Sequence, residues 1–163
     1  MILLNTTHWL LVFLFSLTPT IEGRYAIAYG IGVGLNPFFV FILASVTIIM
    51  LAFALGFLIS YIDMVMMSLK DSRYRTLRTL YRIYDRYLLR IRRRTKPYIE
   101  KYGLLGLIVL VAVPLPGTGV WTGALVSYIF GIDRWRTVLG LTIGGLFSNV
   151  IVFTLAYFFK III

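Results

Sequence analysis

The sequence has no cysteine and a single histidine, His8, among 163 residues. It can therefore form no disulfide and no thiolate metal site, and one imidazole cannot make a metal cluster. Acidic residues are also scarce, with six Asp and Glu against 16 Lys and Arg. There is no nucleotide-binding loop and no paired serine and histidine, so we expect neither an enzyme nor a bound metal or cofactor.

Apolar sequence is abundant instead. Hydrophobic residues make up 60% of the chain and charged residues 13%, whereas soluble domains are roughly half apolar. Two uncharged runs, residues 37–62 and 137–159, are long enough to cross a bilayer as helices. These runs predict an integral, all-α membrane protein.

Positive charge is concentrated between the two runs. Of the 16 Lys and Arg, 12 lie between Lys70 and Lys101, as is typical of a cytoplasmic loop. We therefore expect a plasma-membrane protein with segment 64–102 in the cytoplasm and both termini outside. Topology and anionic headgroups explain these arginines, so we expect membrane lipids, and no nucleic acid, as partners.

The basic segment has the pattern of an amphipathic helix. Its apolar stripe permits two interpretations: the helix lies on the anionic inner leaflet, or it pairs with a second copy of the chain. The arginines that recur every four residues are Arg78, Arg82, Arg86, Arg90 and Arg94, and the stripe consists of Leu77, Tyr81, Tyr84, Leu88 and Ile91.

The other apolar stretches are short and broken. Residues 1–17 stop before Pro19, and residues 103–113 stop before Pro114. Proline interrupts a helix, and its freed backbone groups are tolerated at membrane depth only inside protein or beside a water-filled cavity. Each broken stretch thus predicts a re-entrant helical hairpin. A cleaved signal peptide is the alternative for residues 1–17, although no basic residue precedes the apolar part.

The two halves of the chain match in spacing. Pro19 lies 17 residues before Asn36, and Pro116 lies 17 residues before Asp133. Asn and Asp are good N-caps for the long helices that follow. With the basic segment inside, the halves are inverted, and broken helices at corresponding positions of inverted halves indicate a transport site near the membrane midplane.

These patterns predict one integral membrane domain. It is an inverted repeat of two re-entrant helical hairpins, each followed by a transmembrane helix, joined by a basic amphipathic cytoplasmic helix. Because two spans and two hairpins make a thin wall around a site, we also expect a homo-oligomer. The predicted segments are hairpin 1–35, helix 36–62, basic segment 63–102, hairpin 103–132 and helix 133–160.

Glu22 and Arg24 are the candidate charged residues of the first hairpin. They follow the break at Pro19 and are the only charges in the first 62 residues. Ionisable groups inside a membrane are costly and usually functional. The pair can carry a coupling proton or bind and release a phosphate. In the alternative interpretation both side chains lie at a water interface and neutralise each other.

The second hairpin offers backbone groups. Its glycines allow a ligand close to the backbone, and Thr118 is expected to open the returning helix, whose free N–H groups suit an anion. A tight turn that needs glycine for geometry alone is the alternative. The candidate site residues are Pro114, Pro116, Gly117, Thr118, Gly119, Trp121 and Thr122.

The last helix adds three candidates. Arg134 and Arg136 can bind phosphate headgroups or can simply mark the cytoplasmic end of the helix. Asn149 carries a polar amide that needs a partner within the membrane, and it is a candidate for lining the transport path.

The segment Val113–Ala124, together with Glu22-Gly23-Arg24, resembles the small multidrug export protein family of archaea and bacteria. That family is distantly similar to the DedA (VTT, SNARE-associated) superfamily, whose members have two facing re-entrant hairpins and include polyprenyl-phosphate translocases and lipid scramblases. One departure is Gly119, where DedA proteins usually have an arginine, so Arg24 or the inner-leaflet arginines would have to replace it. The resemblance includes four features of DedA proteins: an acid in the first hairpin, a Pro-Gly in the second, basic residues entering the last helix and an asparagine within that helix. In this sequence they are Glu22, then Pro116 and Gly117, then Arg134 and Arg136, and finally Asn149.

The leading hypothesis is a DedA-like transporter that moves a polyprenyl-phosphate or phospholipid through a midplane site between the hairpins. A proton-coupled small multidrug exporter of amphipathic cations is the alternative. A non-transporting scaffold that acts through the basic helix is the rival of another class. An anion site needs Arg24 turned inward, whereas a cation site relies on Glu22 with Arg24 turned away.

Overall fold

The computed structural model of the protein describes residues 2–19, 21–115 and 117–162. These residues form seven α-helices and include no strand, which confirms the all-α prediction. The helices are α1 (Ile2–Leu17), α2 (Glu22–Gly32), α3 (Pro37–Ser68), α4 (Arg75–Tyr102), α5 (Leu104–Ala112), α6 (Val120–Ile129) and α7 (Arg134–Ile162).

Two of these helices, α3 and α7, are long and apolar enough to cross a membrane, as predicted. Helix α3 has 32 residues and runs beyond residue 62, where the uncharged sequence ends. The other apolar helices have 16, 11, 9 and 10 residues, fewer than the ~20 that a crossing requires. They form two consecutive pairs, α1 with α2 and α5 with α6.

The turns before the two long helices have the same local structure. Gly34 and Gly131 both adopt positive φ angles, 85° and 65°, a conformation that favours glycine. In each turn the glycine N–H and the next N–H donate to carbonyls three and five residues earlier. Asn36 then accepts from the backbone of α3, and Asp133 from the backbone of α7. The matched spacing therefore corresponds to a repeated turn.

The short helices pack on the long ones in a reciprocal pattern. Helices α3 and α7 pack together, and both α2 and α6 contact each of them. Helix α1 packs on α3, and α5 packs on α7. The first residues of α2 and α6 are thereby brought together between the two long helices.

The C-terminal part of the apolar stripe of α4 packs within the chain. Ile91 and Ile99 are buried in the main core, and Tyr84 and Leu88 pack against it. Helix α4 contacts α3, α5 and α6, so these helices cover this part of the stripe. The arginine face of α4 stays exposed.

Candidate functional site

Glu22 and Arg24 form a buried ion pair at the start of α2. Each residue is only 3% exposed, and Arg24 Nη2 lies 3.1 Å from Glu22 Oε2. Glu22 also has a positive φ of 53°, which is uncommon for a residue with a side chain and concentrates at functional sites. The break at Pro19 thus turns both charged side chains into the protein.

The Glu22 carboxylate occupies the N-terminus of α6. Val120 N donates to Glu22 Oε2 at 3.1 Å, and Trp121 N donates to Oε1 at 3.3 Å. The first N–H groups of a helix lack partners within the helix, and the helix dipole favours an anion there. The anion that the sequence predicted for this helix end is, in this structure, the chain's own carboxylate.

Arg24 binds the backbone of the turn between α5 and α6. Its guanidinium donates to the carbonyls of Val113, Leu115 and Thr118 at 3.3, 3.2 and 3.1 Å. The proline-rich turn between α5 and α6 leaves these carbonyls outside helical hydrogen bonding, and a guanidinium carries five donors in a fork. One buried cation therefore holds the turn between α5 and α6 against the start of α2.

Thr118 stabilises that turn, and the expectation that it opens α6 is wrong. Its Oγ1 lies 2.6 Å from the Val113 carbonyl and 2.8 Å from the Leu115 carbonyl. The residue that precedes α6 is Gly119, and no side chain caps the helix from that position. The capping carboxylate comes instead from Glu22, 98 residues earlier in the chain.

Gly119 is required by the charged pair. A Cβ atom at this position would collide with both carboxylate oxygens of Glu22 and with Nη2 of Arg24. The space that a side chain would need is filled by these two groups. Gly117 has a different reason for being glycine, because its φ of 81° lies in the left-handed region.

A small cavity of about 210 Å³ lies beside the pair. Both charged side chains line it, together with Tyr87, Trp121 and Thr122. Thr122 Oγ1 is 3.1 Å from the Tyr87 hydroxyl, which ties the basic helix α4 to α6. Sites for drug-sized ligands usually measure about 300–1,000 Å³, so this cavity is smaller than such sites.

Asn149 is fully buried next to the pair. A Cβ atom on Gly23 would lie 2.9 Å from Asn149 Oδ1, so glycine lets α2 approach this amide. Asn149 Nδ2 donates to Ser45 Oγ at 3.4 Å, and Oδ1 has no hydrogen-bond partner among the described residues. Asn149 supports the backbone beside Glu22 but does not line the small cavity.

The remaining candidates lie elsewhere. Pro114 sits in a tight turn, in which Leu115 N donates to the Val113 carbonyl at 2.8 Å. Arg134 and Arg136 are exposed at the start of α7, and neither is in an ion pair within the described part of the chain. Pro116 lies outside the described residues. The predicted residues that line the small cavity are Glu22, Arg24, Gly117, Gly119, Trp121 and Thr122.

Sequence reasoning missed a second buried carboxylate, Asp63, which is 7% exposed. Tyr84 of α4 donates to its Oδ1 at 2.8 Å, and Tyr128 of α6 donates to its Oδ2 at 3.0 Å. Burial, and then the interaction with Asp63, raises the pKa of the Tyr84 hydroxyl. The signal in the sequence is that this acid directly follows 26 uncharged residues. The prediction places Asp63 at the first position of the basic segment 63–102.

A family model described as "Putative small multi-drug export protein" matches residues 22–151. The match covers most of the chain and includes the charged pair, the second hairpin and Asn149. The chain belongs to this small multi-drug export family. Family membership, with the two spanning helices, makes it a membrane protein.

No curated protein and no solved structure matches this small multi-drug export family member. The more distant similarity to DedA proteins stays a prediction.

Proposed function

We propose that this protein is a membrane transporter whose two short-helix pairs re-enter the bilayer from opposite faces and meet at a midplane site. Three observations support this. The helices of both pairs are shorter than the membrane core requires, each pair packs on the long helices, and their broken ends meet at one ion pair. The basic helix α4 faces the cytoplasm of a plasma membrane under the positive-inside rule.

The cargo carries an anionic, phosphate-bearing group. The observation that carries this proposal is the inward position of Arg24, which is buried between Glu22 and the second hairpin's carbonyls. An amphipathic cation would instead require a free carboxylate with the arginine turned away. The N-terminus of α6 also already binds a carboxylate, so its N–H groups can bind a phosphate oxygen in the same place.

Glu22 then acts as an internal substitute for the cargo. A cargo phosphate that displaces the Glu22 carboxylate from the α6 N-terminus takes over its N–H groups and its place beside Arg24. The carboxylate returns to these groups when the phosphate leaves.

A lipid such as a polyprenyl-phosphate or a phospholipid suits this site. The small cavity holds a headgroup while the apolar part of the cargo stays outside it. The DedA resemblance implies the same class of cargo. The missing arginine at position 119 is compensated, since the Arg24 guanidinium lies where a side chain on Gly119 would begin.

Proton-coupled export of amphipathic cations is the second candidate, and the family description favours it. In that mechanism Glu22 binds the cation, and it must first leave both Arg24 and the α6 N-terminus. The two candidates therefore differ in whether Arg24 is essential for binding or competes with the cargo.

Transport in proteoliposomes distinguishes them. We would compare wild type with Glu22→Gln, Arg24→Ala and the matched control Arg73→Ala, which removes an exposed arginine between α3 and α4. The cargoes are a headgroup-labelled polyprenyl phosphate and a fluorescent amphipathic cation. We expect the phosphate lipid to move, and both site variants to stop it while the control does not.

Movement of the cation alone, dependent on a proton gradient and on Glu22, would favour the exporter. If folded wild-type protein moves neither cargo, the transport proposal fails, and the scaffold acting through the exposed arginines of α4 takes its place.

A further inference from the structure

A second and larger cavity of about 490 Å³ lies between α4, α5 and the turn that follows α5. Among its walls are Tyr98 of α4, Leu105 and Val109 of α5, and Leu115 and Thr118 of the turn. None of the eleven described residues that line it is charged. We call this cavity the apolar groove. Its volume falls within the range of about 300–1,000 Å³ that is usual for small-molecule sites.

The groove and the ion pair share one segment of backbone. Val113, Leu115 and Thr118 line the groove, and the carbonyls of the same three residues accept hydrogen bonds from Arg24. Thr118 Oγ1 is also 3.5 Å from Arg24 Nη1. A single layer of backbone thus separates an apolar groove from a buried cation.

The groove is shaped by a close contact of α4 with α5. A Cβ atom on Gly106 would lie 2.8 Å from the Tyr98 carbonyl, so glycine allows the two helices to approach at this point. Leu105 and Val109 remain 67% and 61% exposed and form an open wall. The groove is therefore accessible along its side and ends at the turn that Arg24 binds.

We propose that the apolar groove binds the hydrocarbon chain of the same cargo whose anionic group binds at Arg24. The cargo is then a single amphiphile, held across the second hairpin's turn with its charge on one side and its chain on the other. This inference rests on the proposed function. The shared backbone segment argues for such a chain, because a separate apolar compound or a second copy of the protein would have no reason to end at Arg24.

Photo-cross-linking of the full chain in phosphatidylcholine nanodiscs tests the proposal. The probes are dodecyl phosphate and dodecyltrimethylammonium, each with a diazirine at the chain end, and mass spectrometry maps the labelled residues. We compare Leu105 in the groove with Leu139, which is also exposed but lies on α7. With the phosphate probe near ten times its Kd, excess unlabelled dodecyl phosphate should reduce labelling at Leu105 about tenfold and leave Leu139 unchanged.

Two variants sharpen the comparison. Val109→Phe fills the groove, and Val150→Phe makes the same change on the exposed face of α7. We expect only the first to abolish the specific labelling of Leu105, and Arg24→Ala to abolish it as well. Equal, non-competable labelling of Leu105 and Leu139 would show that the groove is ordinary lipid-facing surface and would overturn the proposal. Cross-links between two chains at Leu105 would also overturn it, in favour of a second copy.

A phosphate probe with a short chain separates binding at the ion pair from binding in the groove. Butyl phosphate has almost no chain and reports on the ion pair alone, through the fluorescence of Trp121 beside Glu22 in protein whose other tryptophans, Trp9 and Trp135, are replaced by phenylalanine. If butyl phosphate changes this fluorescence in wild type but not in Arg24→Ala, while dodecyl phosphate gives no specific labelling, only the groove proposal is wrong. Equal specific labelling by both headgroups would also overturn the proposal, because the groove would then bind a chain whatever the charge of its headgroup.

Discussion

Replacement of Gly119 by alanine gives the sharpest test of the site. The added Cβ atom would collide with both oxygens of Glu22 and with Nη2 of Arg24, and these groups are buried. Glu22 must then leave the N–H groups of Val120 and Trp121, which lie at 3.1 and 3.3 Å. We therefore expect Gly119→Ala to expel the carboxylate from the α6 N-terminus.

The size of the effect follows from the bonds lost. A hydrogen bond to a charged group contributes about 1.5–3 kcal/mol, and two such bonds are broken while the Glu22–Arg24 contact can persist in a shifted position. The two bonds together contribute about 3–6 kcal/mol, so we expect Gly119→Ala to lower the free energy of unfolding by about that amount.

The assay is reversible unfolding in mixed micelles, followed by tryptophan fluorescence. The matched control is Gly32→Ala, since a Cβ atom there meets nothing within 4 Å and alanine is favoured over glycine in helices. The control should be neutral or slightly stabilising. A Gly119→Ala protein as stable as the control, with unchanged Trp121 fluorescence, would refute the arrangement of the pair.

Three further predictions follow from named contacts. In a double-mutant cycle, Glu22→Gln and Arg24→Met should each lower the free energy of unfolding. The double variant should lose about 1–3 kcal/mol less than the sum of the two single losses. Additive losses in chemical unfolding would exclude a direct coupling of the two residues. Trp121→Phe removes the indole donor to the Leu17 carbonyl, 3.2 Å away, and should cost about 1 kcal/mol in the same assay, whereas Trp135→Phe, at an exposed position, serves as its control. The pKa of Tyr84 is raised by burial and by Asp63. The stabilising contribution of its hydroxyl is therefore complete below the unfolded pKa near 10 and is lost as pH rises through the folded pKa. Tyr84→Phe should lose less thermal stability above pH 10 than wild type does, and an identical alkaline profile of the two proteins would contradict this.

The long helices and the repeated turns could be predicted from the sequence because each is specified locally. Uncharged runs of sufficient length determine α3 and α7. Gly34 and Gly131, each two residues before a cap, determine the turns that precede them. These signals act within a few residues, where helix caps and glycine conformations are decided.

The ion pair could be predicted only as separate parts. From the sequence, Glu22 and Arg24 are candidate site residues, and the start of α6 suits an anion. The sequence could not show that the carboxylate and the helix end satisfy each other, because 98 residues separate Glu22 from Val120. Such a contact depends on how α2 and α6 pack against α3 and α7, which no local pattern specifies.

The burial of Asp63 and the partner of the α4 stripe could not be predicted, for a related reason. An acid at the end of an apolar run looks like the first residue of a loop. Its burial depends on two tyrosine hydroxyls supplied by α4 and α6. Likewise, the stripe on α4 showed that one face would be covered, but amphipathicity does not name the partner.

Glu22 of α2 contacts a helix, α6, that the ribosome makes much later, and this has a consequence for biosynthesis. Ribosomes add about 5–20 residues per second, so the α6 N–H groups that Glu22 binds are made about 5–20 seconds after Glu22 itself. During that interval the carboxylate has Arg24, two positions along the chain, as a neutralising neighbour. The first half of the chain therefore contains both members of the charge pair, with no net charge between them, before the second half is made.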